Sequence, residues 1–139
     1  ISDNLALAYA GTWARHRYSN NPDPSLGNID GNDVDTAPRQ QSNLRLAWDH
    51  GTDHGELRSE LEWSYLGRHY LDPQNEHQYQ GHSLINLRLN YQLAQWDLSA
   101  RVTNLTDRSY AERADYAFGA YRYFAGQGRG VYVSAAYQW

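Results

Sequence analysis

The stretch that most limits what this chain can fold into is RGVYVSAAYQW, residues 129–139. From Val131 it alternates, with Val131, Val133, Ala135, Tyr137 and Trp139 on one face and Tyr132, Ser134, Ala136 and Gln138 on the other. A period of two over this length is a strand whose faces meet different surroundings. It closes on a tryptophan in phase with the apolar face, where a soluble domain usually frays through small polar residues. Two settings reward that ending: a transmembrane β-barrel with aromatic girdles at its membrane interfaces, and the buried last strand of a soluble sandwich. This strand alone does not separate them.

The same alternation recurs upstream and predicts six strands, over about 3–18, 39–49, 56–70, 82–93, 96–105 and the final stretch. Their apolar faces carry Leu5, Leu7, Tyr9 and Trp13, then Leu44, Leu46 and Trp48, then Leu57, Leu61, Trp63 and Tyr65. Ile85, Leu87, Leu89, Tyr91 and Leu93 follow, then Trp96, Leu98, Ala100 and Val102. The connections alternate in length. Residues 19–38 and 71–81 are loops rich in Asn, Asp, Gly and Pro. Residues 106–128 are a third long connection, while 50–55 and Ala94-Gln95 are short turns.

Charge placement and loop length favour the barrel. Arg45, Asp49, Arg58, Glu60, Glu62, Arg88, Asp97 and Arg101 all fall opposite the apolar face. An arginine on the lipid face near the midplane costs about 2–4 kcal/mol, so a barrel must turn such residues inward. Long connections alternating with short ones match extracellular loops and periplasmic turns. With the C-terminus periplasmic, Trp48, Tyr91, Trp96, Tyr137 and Trp139 gather at one rim as a girdle. Arg15, Arg17 and Arg129 depart from this parity, but at the outer strand ends, where the cost is small. A hydrophobic share of only 40% is compatible with a barrel, because only alternate residues in a band about 25 Å tall meet lipid. Six strands are too few for closure, so the expected fold is all-β: an antiparallel segment, the C-terminal part of a larger barrel. The absence of Met and an isoleucine at position 1 also suggest a piece of a longer chain.

Several function classes drop out. There is no cysteine, so no disulfide framework, thiolate site or cysteine nucleophile. A net charge of −4 and scattered arginines leave no footprint for nucleic acid. No apolar run is long enough for a membrane helix. His50 and His54, with Asp49 and Asp53, lie on a predicted turn and read as solvated. Asp30, Asn32, Asp33 and Asp35 resemble a calcium loop but lack its glycine and bidentate glutamate, and also read as solvated. Neither group is taken as a metal site, and no cofactor is expected. No catalytic set can be assembled. Tyr116, Tyr121, Arg122, Tyr123 and Phe124 lie in the last long connection. Such side chains suit a large planar or anionic cargo, or the packing of the loop on its neighbours.

Two stretches carry a family resemblance: ARVTNLTDRSY (100–110) and GRGVYVSAAYQW (128–139). They resemble the C-terminal end of TonB-dependent outer-membrane receptors, whose penultimate strand carries Val-x-Asn-Leu-Phe-Asp-Lys/Arg-x-Tyr. Val102, Asn104, Leu105, Asp107, Arg108 and Tyr110 match, with Thr106 in place of the phenylalanine. Gly128, Arg129 and Tyr132 through Trp139 match the last strand, the glycine standing one residue early. The resemblance is specific over about the last forty residues, and upstream it rests on strand pattern and loop lengths.

The resemblance implies that residues 1–139 are the end of a 22-stranded barrel domain in the bacterial outer membrane, embedded in its lipid, whose plug domain and TonB box lie elsewhere. It implies active import of a scarce iron- or cobalt-bearing cargo (ferric siderophore, cobalamin or haem), energised by the TonB complex through the plug. It also implies that Tyr132, Val133, Ala135, Tyr137 and Trp139 form the signal read by the barrel assembly machinery. Edge-to-edge pairing of a terminal strand is the physical basis. The competing readings are an outer-membrane barrel hydrolase, a passive porin and a soluble all-β binding module. Residues 1–139 are not expected to fold stably alone, since two strand edges and an apolar face would stand open.

Overall fold

The computed structural model describes residues 4–21 and 23–139. The expected start of the first strand at Asp3 lies outside them, as does Pro22 of the first long loop. Six long strands, β1 (Leu5–Trp13), β2 (Gln40–Thr52), β3 (Gly55–Leu66), β6 (His82–Leu93), β7 (Trp96–Thr103) and β10 (Gly130–Tyr137), form one sheet in the order β1-β2-β3-β6-β7-β10. Every neighbouring pair is antiparallel. The shorter strands β4 (His69–Tyr70) with β5 (Gln78–Tyr79), and β8 (Ala111–Ala117) with β9 (Ala120–Ala125), form two separate hairpins.

Register aligns the apolar residues into a continuous face. Leu7 pairs with Leu46, Leu46 with Leu61, Leu61 with Leu87, Leu87 with Val102 and Val102 with Val131. No second sheet covers it among the described residues. Leu7 is 57% exposed, Val133 78% and Trp13 62%. A soluble sandwich would bury these side chains between two sheets; here only lipid is left to cover them. The opposite face is polar and cross-linked. Arg58 donates to Asp49 at 2.9 Å and to Glu60 at 2.9 Å, Arg88 lies 3.6 Å from Glu60, and Asn43 donates to Glu62 at 2.7 Å. The twelve residues of β3 extend about 40 Å at about 3.3 Å each. Tilted by about 45°, they cross about 28 Å, enough for an apolar band about 25 Å tall.

Aromatic rings mark both ends of that band. Trp96 and Tyr137 lie 5.0 Å apart at the end with short turns, and the Tyr91 hydroxyl meets Thr52 Oγ1 at 3.0 Å. At the other end Tyr9 and Trp13 lie 6.1 Å apart, and Trp63 stacks on Tyr65 at 5.8 Å.

Strand limits differ from expectation where local chemistry intervenes. β1 stops at Trp13 rather than running to residue 18. β2 continues to Thr52, leaving Asp53-His54 as the turn, so His50 stands on the strand with its ring 5.0 Å from Trp48 instead of in a solvated loop. β3 ends at Leu66 instead of Tyr70: the Gly67 N–H makes a last in-register bond to the Gln40 carbonyl at the start of β2, and the chain then restarts as β4. β7 ends at Thr103, since Asn104 adopts φ 49, a left-handed conformation that asparagine tolerates and a strand does not. The third connection is not mere loop, for it contains β8 and β9.

Candidate functional site

Almost the only apolar core among the described residues lies above the sheet. Leu71, Ala111 and Ala114 are buried together, with Tyr79 and Tyr116 packed against them. The β4–β5 and β8–β9 hairpins are therefore held as one unit over the wall. The β8–β9 tip is Phe118-Gly119, both at positive φ (55° and 76°), as a two-residue hairpin turn requires. Phe118 is 98% exposed.

The hairpin register divides the five candidate residues between two faces. Tyr116 pairs with Tyr121 and Ala114 with Tyr123, which sets these tyrosines on one face. Asp115 pairs with Arg122 and Arg113 with Phe124 on the other. On the tyrosine face the His77 ring stacks on Tyr116 at 3.4 Å and 10°. Tyr116 meets Tyr121 edge-on at 5.2 Å, Tyr121 lies parallel to Tyr123 at 6.0 Å, and Tyr123 reaches Tyr79 at 6.4 Å. Tyr79 continues the run to His82 at 6.0 Å, and His82 to Tyr110 at 4.6 Å. The Tyr79 hydroxyl accepts from the Ala111 N–H at 3.0 Å and is hydrogen-bonded to His82 Nδ1 at 3.0 Å, fixing the rings in place. Tyr116 thus packs the hairpin down, while Tyr121 and Tyr123 keep about half their surface open.

On the other face Arg122 donates to Asp115 at 2.5 Å, and its guanidinium lies over the Phe118 ring at 5.8 Å. Arg113 lies 3.7 Å from Asp115 and 5.6 Å over Phe124. The hydrogen bond from Arg122 holds the Asp115 carboxyl below the usual carboxylate range. Sequence reasoning missed His77, Tyr79, His82 and Phe118, which lie outside the run 121–124. The one available signal was the alternation Tyr121/Tyr123 against Arg122/Phe124, which marks a strand.

The motif residues build the base of this loop. Asn104 is 3% exposed, and its side chain donates to the carbonyls of Arg108 (2.9 Å) and Gln127 (3.2 Å) and accepts the Arg108 N–H (2.9 Å). Asp107 accepts the Arg129 N–H at 2.9 Å, and Leu105 N–H bonds to the Ile85 carbonyl at 2.7 Å. Gly126 passes so close to Tyr110 that a side chain there would strike the ring. Asn104 and Asp107 therefore tie the start of the connection to its end near Gly128. Tyr132 lies on the polar face under Arg101, 4.6 Å from its guanidinium, while Val133 and Tyr137 fall on the apolar side and the Trp139 ring lies 6.3 Å from that of Tyr137.

Asp72, Glu76 and His77 bring three possible ligand atoms within 4.8 Å of one another. Their geometry is already used: Asp72 meets His77 Nδ1 at 2.6 Å and accepts the backbone N–H groups of Glu76 and His77. The calcium-like loop disperses. Asn32 donates to the Pro73 carbonyl, Asp35 accepts from Tyr18 at 2.5 Å, and Asp33 is 7% exposed among arginines rather than solvated. Burial pushes the Asp33 carboxyl up, but hydrogen bonds and charge from Arg15 and Arg39 prevail and hold it below the usual range.

An open antiparallel sheet with an unshielded apolar face, girdles at both ends and loop hairpins on one rim defines a piece of an outer-membrane β-barrel wall. The family described as TonB dependent receptor-like, beta-barrel, matches residues 2–105, and the chain belongs to that family of outer-membrane receptors. A comparison with curated protein sequences gives no match.

Among solved structures, the ferric yersiniabactin uptake receptor FyuA from Yersinia pestis is similar over 97% of this chain, at 20% identity and TM-score 0.80. BauA, the ferric preacinetobactin receptor from Acinetobacter baumannii, is similar over 96% at 17% identity and TM-score 0.80. The ferric citrate transporter FecA is similar over 96% at 18% identity and TM-score 0.76. At these identities the likeness is one of fold. The chain spans 20–21% of the length of these three receptors.

Proposed function

We propose that residues 1–139 are the C-terminal part of the barrel domain of an outer-membrane receptor that imports a ferric siderophore, energised by the TonB complex through a plug domain. Cargo is met at the loop rim, where Tyr121 and Tyr123, seated by Tyr116, offer planar rings on one face of the hairpin, and Phe124 and Arg122 a ring and a cation on the other. Phe118 extends this surface at the hairpin tip. The observation that carries the reading is the run of contacting rings from His77 to Tyr110, open to solvent at Tyr121 and Tyr123 and supported from below by Leu71 and Ala111. Aromatic faces and an arginine suit aryl groups and the negative charge of iron chelates. The relatives whose names specify ferric chelates support the same cargo class, ahead of cobalamin or haem. The terminal strand, with Tyr137 and Trp139, engages the barrel assembly machinery.

The test is uptake by cells with and without the full-length receptor, offered labelled ferric siderophores, cobalamin or haem, with an uncoupler control. Uptake of a ferric siderophore that needs both the receptor and the proton gradient is expected. Uptake indifferent to the uncoupler indicates a passive pore, and uptake of cobalamin or haem alone replaces the cargo.

A further inference from the structure

Between the β8–β9 hairpin and the charged middle of the wall lies a cavity of about 490 Å³ that the rings at the rim leave unused. Two rows of the sheet floor it. Thr12 pairs with Gln41, Gln41 with Leu66 and Leu66 with His82; Ala10 pairs with Asn43 and Asn43 with Ser64. Residues directly opposite share a face, and Asn43 donates to Glu62 on the polar side at 2.7 Å, so both rows look into the lumen. Neither Tyr9 nor Trp13 of the apolar face lines the cavity. Tyr110 and Glu112, at the foot of the hairpin, border it from above the sheet.

Its lining differs in charge from the wall around it. Arg45, Arg88 and Arg101 line a separate cavity toward the middle of the sheet, and Arg39 and Arg68 another beside the β4–β5 hairpin. Here no arginine contributes, and the one carboxylate, Glu112, stands among amides and hydroxyls. Thr12, Gln41 and Ser64 make no side-chain hydrogen bond among the described residues, and Asn43 keeps its carbonyl oxygen once its N–H is given to Glu62. Hydroxyls and amides both donate and accept, while a carboxylate only accepts. The partner that matches such a set carries several neutral groups that each donate and accept, which is the chemistry of a polyol. A carboxylate takes two adjacent hydroxyls at once, whereas a peptide-like amide offers it a single N–H. An anionic chelate finds no arginine here and is repelled by Glu112. The volume falls within the range of about 300–1,000 Å³ usual for small-molecule clefts.

We propose that this cavity holds a neutral, polyhydroxylated group of the cargo, a sugar residue. Thr12, Gln41, Asn43 and Ser64 meet its hydroxyls, Glu112 accepts from two neighbouring ones, and the Tyr110 ring covers its C–H surface. The site presupposes the cargo receptor proposed above and adds a second kind of group to its cargo: the iron chelate is met at the rim, the sugar below it.

The experiment uses the full-length receptor in a detergent without sugar headgroups, offered maltotriose, triglycine or citrate, with binding followed by saturation-transfer NMR. No iron, cell or proton gradient enters, so the result is independent of the uptake test. Maltotriose should bind with a Kd on the order of 1 mM, the worth of about four neutral hydrogen bonds, and triglycine and citrate about tenfold more weakly. Gln41→Leu/Ser64→Ala should weaken maltotriose about tenfold, and Glu112→Gln, on the exposed hairpin, about threefold. Glu56→Gln, which borders a different cavity at the short-turn end of the wall, should leave it unchanged. Gel mobility without heating reports that the variants remain folded. Triglycine or citrate bound as tightly as maltotriose would overturn the proposal, as would no binding of maltotriose by the unaltered receptor. So would undiminished binding in the folded double variant, or an equal loss in Glu56→Gln.

Discussion

Replacing Leu61 by arginine in the full-length receptor tests which face of the sheet meets lipid. Leu61 lies in the middle of β3, between Leu46 and Leu87 in register, and is 41% exposed with no protein layer over it. An arginine at the bilayer midplane costs about 2–4 kcal/mol, and the lost leucine adds about 1.5–3 kcal/mol. The expected loss is therefore about 3.5–7 kcal/mol. Ser99→Arg is the control, on the polar face, where the residue shares a 2.7 Å hydrogen bond with Ser134. Its loss should be about 0.5–1.5 kcal/mol, the worth of one hydrogen bond. Both are read from guanidinium unfolding in phospholipid vesicles, followed by tryptophan fluorescence. If Leu61→Arg costs no more than Ser99→Arg, the face assignment is wrong.

Asn104→Ala removes three buried side-chain hydrogen bonds and puts alanine at φ 49. It should cost about 2–4 kcal/mol and appear as faster proteolysis within residues 106–128. The Tyr18 phenol is pushed up to about 12, chiefly by its hydrogen bond to Asp35. Because that lies above the ordinary value, the contact adds stability that is fully present below about pH 10 and is lost as pH rises through about 12. Tyrosinate absorbance, taken as the difference from Tyr18→Phe, should show the high titration in the unaltered receptor and a return toward the ordinary value in Asp35→Asn. Phe118→Gly relieves a bulky residue at φ 55 and should stabilise the hairpin by about 0.5–1 kcal/mol. The same change should weaken cargo binding, measured by titration calorimetry, and unchanged affinity would remove Phe118 from the cargo surface.

The wall was legible because period two is a strong signal when every strand repeats it. β6 runs from His82 to Leu93 as the alternation predicts, and the charged residues fall opposite the leucines in the observed register. Strand ends were less legible, because they depend on partners distant in sequence. Nothing around Gly67 announces that its partner strand begins at Gln40, twenty-seven residues earlier (67 − 40), so that the pairing runs out there. The β8–β9 hairpin escaped notice because Phe118-Gly119 lacks the Asn-Gly or Asp-Gly pair that usually marks such a turn. The rings of the candidate site were visible as residue types, but not their division between two faces. That division follows from the Tyr116–Tyr121 pairing alone. Asp33 looked like a solvated loop residue because its neighbours in sequence are polar. Its burial comes from Arg15 and Arg39, on opposite sides of the loop.

The clasp made by Asn104, which joins Arg108 to Gln127 across the mouth of the last connection, has a bearing on how such a receptor can change. Nineteen residues of chain (109–127) leave and return at nearly one point, and beyond it they rest on the β4–β5 hairpin and His82 without joining the ladder of the wall. A longer, shorter or re-sequenced hairpin can be grafted between the same two anchors without shifting the pairing of β7 with β10. Recognition can then diverge freely at the rim while the wall below keeps its register.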